Sequence, residues 1–153
     1  MDSEPQIVAT GDKWIGYGVK TTSSAIHEMI DNSKKSLLLT IYIISEDDIL
    51  NKIRSALNRG VRVEIFIHDD KDFYKSIMDR LLELQKKYNY IEIFSGSDEF
   101  MHAKVLISDK KDVLIGSANL TKSGLSNNYE LGILLEDRKI AYELEMIIKR
   151  LVQ

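Results

Sequence analysis

Apolar and polar positions along the chain follow two alternating periods. Leu37-Leu38-Leu39-Thr40-Ile41-Tyr42-Ile43-Ile44 is a continuous run rich in branched side chains, the pattern of a strand buried on both faces. Val61 to Ile67 repeats it, and Tyr90 to Phe94 gives a shorter version before a turn at Ser95-Gly96-Ser97. Between these runs the spacing becomes helical. Ala25, Ile26, Met29 and Ile30 share one face of a helix predicted over Thr22 to Ser33. Ile49, Leu50, Ile53 and Leu57 do the same for a second helix, with Ser45 as N-cap, Asp48 three residues on and Gly60 as the stop. Ile77, Leu81, Leu82 and Leu84 mark a third over Asp72 to Tyr88. Farther on, Lys104 to Ser108 and Val113 to Ile115 are short strands around a polar turn at Asp109 to Asp112. Leu131 to Leu135 is another strand, an amphipathic helix closes the chain from Arg138 to Leu151, and Ile15 to Lys20 is predicted as a short first strand carrying Gly16 and Gly18. The alternation predicts an α/β fold, a mixed β-sheet flanked by helices on both faces, with a hairpin adding antiparallel pairing. No linker or repeat divides residues 1–153, so one domain is expected, with its core over about 15–152.

Composition narrows the chemistry. Hydrophobic residues make up 44% and charged residues 29%, which fits a folded globular domain and argues against disorder. There are no cysteines. Disulfides, thiolate nucleophiles and cysteine-ligated zinc are excluded, and a cytoplasmic home is expected. The longest apolar run is too short to span a bilayer, and Met1-Asp2-Ser3-Glu4-Pro5 lacks the basic start and apolar stretch of a signal peptide, so no membrane segment is expected. The 21 basic against 24 acidic residues leave a net charge of −3. That balance does not predict a long basic groove along a polymer, and leaves room for a small local basic site.

The informative stretch runs from Met101 to Glu130. It reads His102-x-Lys104, four residues, Asp109, six residues, Gly116-Ser117-x-Asn119. Residues two apart on a strand point to one face, so His102 and Lys104 are expected side by side at the start of the hairpin. The antiparallel return brings Gly116, Ser117 and Asn119 back beside them, and Gly116 permits a backbone turn that a bulkier residue resists. An imidazole, an ammonium, a hydroxyl and an amide then surround one small polar pocket rich in hydrogen-bond donors, as a phosphate requires. Glu130, at the start of the next strand, is placed to accept the second N–H of His102 and fix its tautomer. His27 and His68 stand outside any such pattern and read as structural. Asp69 to Asp72 reads as a solvated acidic loop. Trp14, Tyr17 and Tyr129 are open to a core, interface or stacking role.

This pattern resembles the HKD motif of the phospholipase D superfamily. Its six fixed positions would arise by chance in a chain this long roughly twice in a million. Asn128-Tyr129-Glu130 resembles the family's second element, in which a glutamate supports the histidine. Gly16-Tyr17, the Ile26 to Ile30 helix, Leu37 to Tyr42 and Arg59-Gly60-Val61 are similar to the small bacterial endonucleases of that superfamily. Most members carry two motifs, and this chain carries one. One histidine cannot attack phosphorus in line and also protonate the oxygen leaving opposite it. The resemblance therefore implies a homodimer with a shared site. It implies His102 as nucleophile through a phosphohistidine, Lys104, Ser117 and Asn119 as phosphate ligands, and Glu130 as the support of His102. Asp109 is expected to hold the hairpin turn, since a second negative charge would repel phosphate. No cofactor and no metal are implied. A nucleic-acid substrate is favoured over a phospholipid by the small size and single motif. A phospholipid hydrolase or transferase, and a nucleic-acid-binding module of low turnover, stand as alternatives.

Overall fold

A computed structural model of the chain describes residues 4–41, 47–68, 75–96 and 101–152. Eight strands form one mixed sheet. In chain order they are β1 (Gln6–Thr10), β2 (Lys20–Thr21), β3 (Ser36–Ile41), β4 (Arg62–His68), β5 (Ile91–Gly96), β6 (Val105–Ser108), β7 (Asp112–Gly116) and β8 (Glu130–Glu136). Their order across the sheet is β2-β1-β8-β7-β6-β3-β4-β5. β3, β4 and β5 are parallel, while β6, β7, β8 and β1 join them as an antiparallel half. The helices are α1 (Thr22–Asn32), α2 (Asp47–Asn58), α3 (Lys75–Lys87) and α4 (Arg138–Ile148), the last continued by a 3-10 turn over Lys149–Val152.

The predicted α/β class with helices on both faces of a mixed sheet is the observed one. The unbroken apolar run of β3 is explained by burial on two sides. Leu37, Leu39 and Ile41 join Ile30, Ile49, Ile53 and Leu57 in one core. Leu38 points the other way, into a second core with Phe66, Val105, Ile107 and Val113, closed by Ala141 and Ile148 of α4. Each fully buried Leu or Ile here contributes about 1.5–3 kcal/mol. Helix ends follow local chemistry. The Thr21 hydroxyl caps α1 by accepting from Ser24 N–H at 3.1 Å. Gly60, at φ +88, ends α2, with Gly60 N–H on Leu57 O and Val61 N–H on Ala56 O, both at 3.0 Å. Arg59 then donates to Ile30 O at 2.8 Å, satisfying a carbonyl at the end of α1.

Four expectations change. The first strand is Gln6–Thr10, not Ile15 to Lys20, and Val8 lies fully buried in the core. Residues 16 to 18 all have positive φ, which breaks an extended strand, so only Lys20–Thr21 pair with β1. Ser95 and Gly96 continue β5 opposite Ile67 and His68 instead of turning. His102 to Lys104 precede β6, which begins at Val105. The last helix ends at Ile148. Ser45, Tyr42 to Ile44 and Asp69 to Asp72 lie outside the described residues.

Candidate active site

The site stands at the carboxyl end of β3, where its neighbours switch from parallel β4 to antiparallel β6. Such switch points are where α/β sheets open a crevice. The hairpin explains the motif's spacing. β6 fills the four residues between Lys104 and Asp109, pairing Val105 with Thr40 and Ser108 with Leu37. The chain turns at Asp109 and Lys110, both at positive φ, with Lys111 N–H on Ser108 O at 3.1 Å. β7 then returns until Gly116 N–H reaches Lys104 O at 3.1 Å. Gly116 is required by contact: a Cβ there would sit 2.7 Å from Leu131 O and 2.8 Å from Gly132 Cα.

Lys104, Gly116 and Asn119 line one cavity of about 40 Å³, together with Thr22, Ile26 and Leu39. His102 is exposed just ahead of Lys104, whose Nζ donates to His102 O at 2.7 Å. The Asn119 Oδ1 is buried and accepts no hydrogen bond from protein. The Thr22 hydroxyl is buried and unpaired beside the same cavity.

Two residues have different neighbours from those expected. The Ser117 hydroxyl accepts from Leu131 N–H at 3.1 Å and donates to Leu131 O at 3.3 Å. Its one proton is engaged in tying β7 to β8. Asp109 stands in the hairpin turn, but its carboxylate reaches across to the α1–β3 connection. It accepts from Lys34 N–H at 3.1 Å, Lys35 N–H at 2.7 Å and Ser36 N–H at 3.1 Å. Burial raises its pKa, but those three bonds and nearby Lys111 outweigh it and hold the carboxyl below the usual range. Glu130 begins β8 opposite Thr10, one residue before the Leu131 that Ser117 binds. Alternation with Gly132 and Leu134 puts it on the α1 side of the sheet, the side of Leu106 and Leu114.

Sequence reading missed two residues of this corner. Gly124, in the short π-helical turn Ser123–Asn127, packs on the backbone of Asn119: a Cβ would lie 2.4 Å from Asn119 O. Thr40 binds the backbone on both sides of Lys104. A glycine soon after the Gly-Ser-x-Asn element was the only signal for the first, and a polar residue inside an apolar strand for the second. His68 is buried and His27 half-buried. Trp14 packs edge-on against Tyr129, while Tyr17 is fully exposed. Among the described residues no cluster of His, Asp and Glu could hold a metal ion, and no helix is long and apolar enough to cross a membrane.

Comparison with known proteins agrees with this fold. The chain is 31% identical over 145 residues to the DISARM protein DrmC of Bacillus paralicheniformis, covering 92% of this chain and 60% of that protein. It is 36% identical over 119 residues to a phospholipase D of Rickettsia prowazekii, covering 76% and 55%. It is 28% identical over 159 residues to cardiolipin synthase A of Buchnera aphidicola, covering 99% of this chain and 31% of that protein. The chain therefore spans between about a third and three-fifths of these relatives. In fold it is similar to Nuc of Salmonella typhimurium, a phospholipase D family member, with a TM-score of 0.78 at 24% identity over 98% of this chain and 96% of that one. NucT of Helicobacter pylori gives 0.71 at 21% identity over 97% and 96%. Residues 26–152 match the family described as "Cardiolipin synthase, PLD-like domain", and with the His-x-Lys hairpin and its Gly-Ser-x-Asn return at their centre, the chain belongs to the phospholipase D superfamily, whose members act on phosphodiesters.

Proposed function

We propose that this chain is a metal-independent nuclease, cleaving a phosphodiester of DNA or RNA through a phosphohistidine in a site shared by two copies. The observation that carries the reading is the convergence of Lys104 and Asn119 on one cavity, with His102 exposed beside them.

His102 of one subunit attacks phosphorus, so a P–N bond forms as the P–O bond to the leaving group breaks. His102 of the partner subunit gives its proton to the departing oxygen. It then takes a proton from water, whose oxygen attacks phosphorus and releases the first histidine. Lys104 from both copies offsets charge growing on the non-bridging oxygens, and the Asn119 amide donates to them. Glu130 orients His102, while Ser117 and Asp109 hold the loops that present these groups. The homodimer is supported by exposed apolar side chains on and beside β1 and β8, of which Leu131 also borders the cavity. Leu131 is 50%, Tyr129 47% and Ile7 58% exposed, a patch that a second copy would cover. The lack of cysteine supports a cytoplasmic setting.

Nucleic acid is favoured over lipid by the single motif within these 153 residues. The cardiolipin synthase and phospholipase D relatives favour the second reading, a phospholipid hydrolase or transferase. The test is cleavage of single- and double-stranded DNA and RNA in excess chelator, with a base-quenched sample examined for phosphohistidine. Chelator-resistant cleavage and a trapped adduct lost in His102→Ala are expected. Activity abolished by chelator refutes the mechanism, and turnover of phosphatidylcholine or phosphatidylglycerol vesicles alone moves the assignment to lipid. Binding without cleavage, unchanged by His102→Ala, indicates a binding module. Mixing His102→Ala with wild-type subunits tests the shared site, since heterodimers are expected to be nearly inactive.

A further inference from the structure

Thr40 is a polar residue inside the apolar run of β3, and it is 4% exposed. Its hydroxyl donates to Ala103 O at 2.8 Å and accepts from Val105 N–H at 2.8 Å. A hydroxyl has one proton to give, and here it goes to the carbonyl between His102 and Lys104. β3 and β6 pair in register from Leu37–Ser108 to Thr40–Val105. At that last pair a side chain bonds the Val105 N–H. Upstream the strand pairing ends, and residues 101–104 have no regular structure.

The carbonyls of the segment show how it is held. His102 O accepts from Lys104 Nζ, Ala103 O from Thr40, and Lys104 O from Gly116 N–H. The first of these is lost when Lys104 turns to a phosphate. Thr40 and Gly116 then remain, and of the two only Thr40 acts from outside the hairpin. Valine would match its shape but not its hydroxyl, leaving two backbone groups without this partner.

We propose that Thr40 is a positioning residue for His102 and Lys104, fixing the backbone of the segment that bears both where it leaves the sheet. Its effect on turnover rests on the function proposed above; its effect on the backbone does not. The test uses the full chain with Thr40→Val and Thr40→Ser, and Thr40→Ala should the valine variant not fold. Folding is checked by circular dichroism, the backbone by amide exchange at Val105, and turnover with a chromogenic aryl phosphodiester. Binding is followed by the His102 ring resonances during titration with inorganic phosphate.

In Thr40→Val, exchange at Val105 is expected to rise at least tenfold. Its kcat is expected to fall about 10- to 100-fold and its KM to rise by no more than about tenfold, the scale set by a misplacement near 1 Å. Thr40→Ser, which keeps the hydroxyl, is expected to recover most of that loss. A purely structural threonine would lower the melting temperature and leave kcat of the folded protein intact, and that result overturns the proposal. So does equal impairment of the valine and serine variants. If the wild type turns over no diester, the proposed function fails and phosphate binding decides alone. Binding weakened about tenfold in Thr40→Val and near normal in Thr40→Ser supports positioning, and identical titrations refute it.

Discussion

The carboxylate of Asp109 ties the hairpin to the chain leading into β3, and its removal gives a measurable cost. Three backbone N–H groups, of Lys34, Lys35 and Ser36, donate to it within 3.1 Å. Hydrogen bonds to a charged group are each worth about 1.5–3 kcal/mol. Lys34 and Lys35 are exposed and Ser36 is half-buried, so water replaces part of what is lost. About 3 kcal/mol is therefore expected for Asp109→Ala, or about 6–12 °C in melting temperature for a domain of this size. Asp109→Asn keeps an acceptor and loses the charge, for about 1–2 kcal/mol. The carboxyl is held below its ordinary 3.8. A depressed acid stabilises the fold fully above its unfolded pKa, and the contribution disappears as pH falls through the folded one. Urea unfolding at several pH values is the assay. The difference between wild type and Asp109→Asn is expected to hold steady from neutrality down to about pH 5, to narrow below about pH 4, and to vanish only in stronger acid, beneath the folded carboxyl's own pKa. A cost under about 1 kcal/mol for Asp109→Ala at neutral pH, or a gap as wide in strong acid as at neutrality, would refute the reasoning.

Other variants test other parts of the scaffold. Gly124→Ala forces a methyl to within 2.4 Å of Asn119 O; a loss of about 1–3 kcal/mol is expected in thermal unfolding, with weaker binding of inorganic phosphate as Asn119 shifts. Lys110 sits at φ +56 in the hairpin turn, so Lys110→Gly is expected to raise the urea midpoint by about 0.5–1 kcal/mol of stability, and a lowered midpoint contradicts the turn assignment. Phe66 is 1% exposed and stacks on Phe94 at 4.6 Å; Phe66→Ala is expected to cost about 3–5 kcal/mol by calorimetry, more than any surface change.

Fold class was legible because two periods are hard to confuse over long stretches. The continuous run Leu37 to Ile41 and the spaced set Ile49, Leu50, Ile53 and Leu57 each demand one kind of element. β1 was not legible. Only Val8, Ala9 and Thr10 of its five residues are buried, and the strand that stabilises it, β8, lies more than a hundred residues away in sequence. No local pattern carries a partner that distant. The candidate site was legible in its residue types and not in its bonds. His102, Lys104 and Asn119 announce themselves by spacing, but the engagement of Ser117 with Leu131 depends on the register of β7 and β8. The same holds for Asp109, whose partners lie at residues 34 to 36, outside the motif altogether. Thr40 lies in an apolar run, and its hydroxyl gains meaning only once β6 is placed beside it.

Both ends of the hairpin's first strand are fastened to the flanks of one other strand. Asp109 grips the N–H groups leading into β3, and Thr40, near its far end, grips the backbone on either side of Lys104. Between the two grips lie Val105 to Ser108, matched residue for residue against Leu37 to Thr40. The four-residue gap between the motif's lysine and aspartate is thus a length requirement set by β3. One residue more or fewer would shift every later side chain to the opposite face, and one of the two grips would be lost. The aspartate is tied to the lysine through this geometry and not by contact. It holds one end of β6 while the lysine stands just ahead of the other, and so a carboxylate that would repel a phosphate at close range is kept a strand's length away from it.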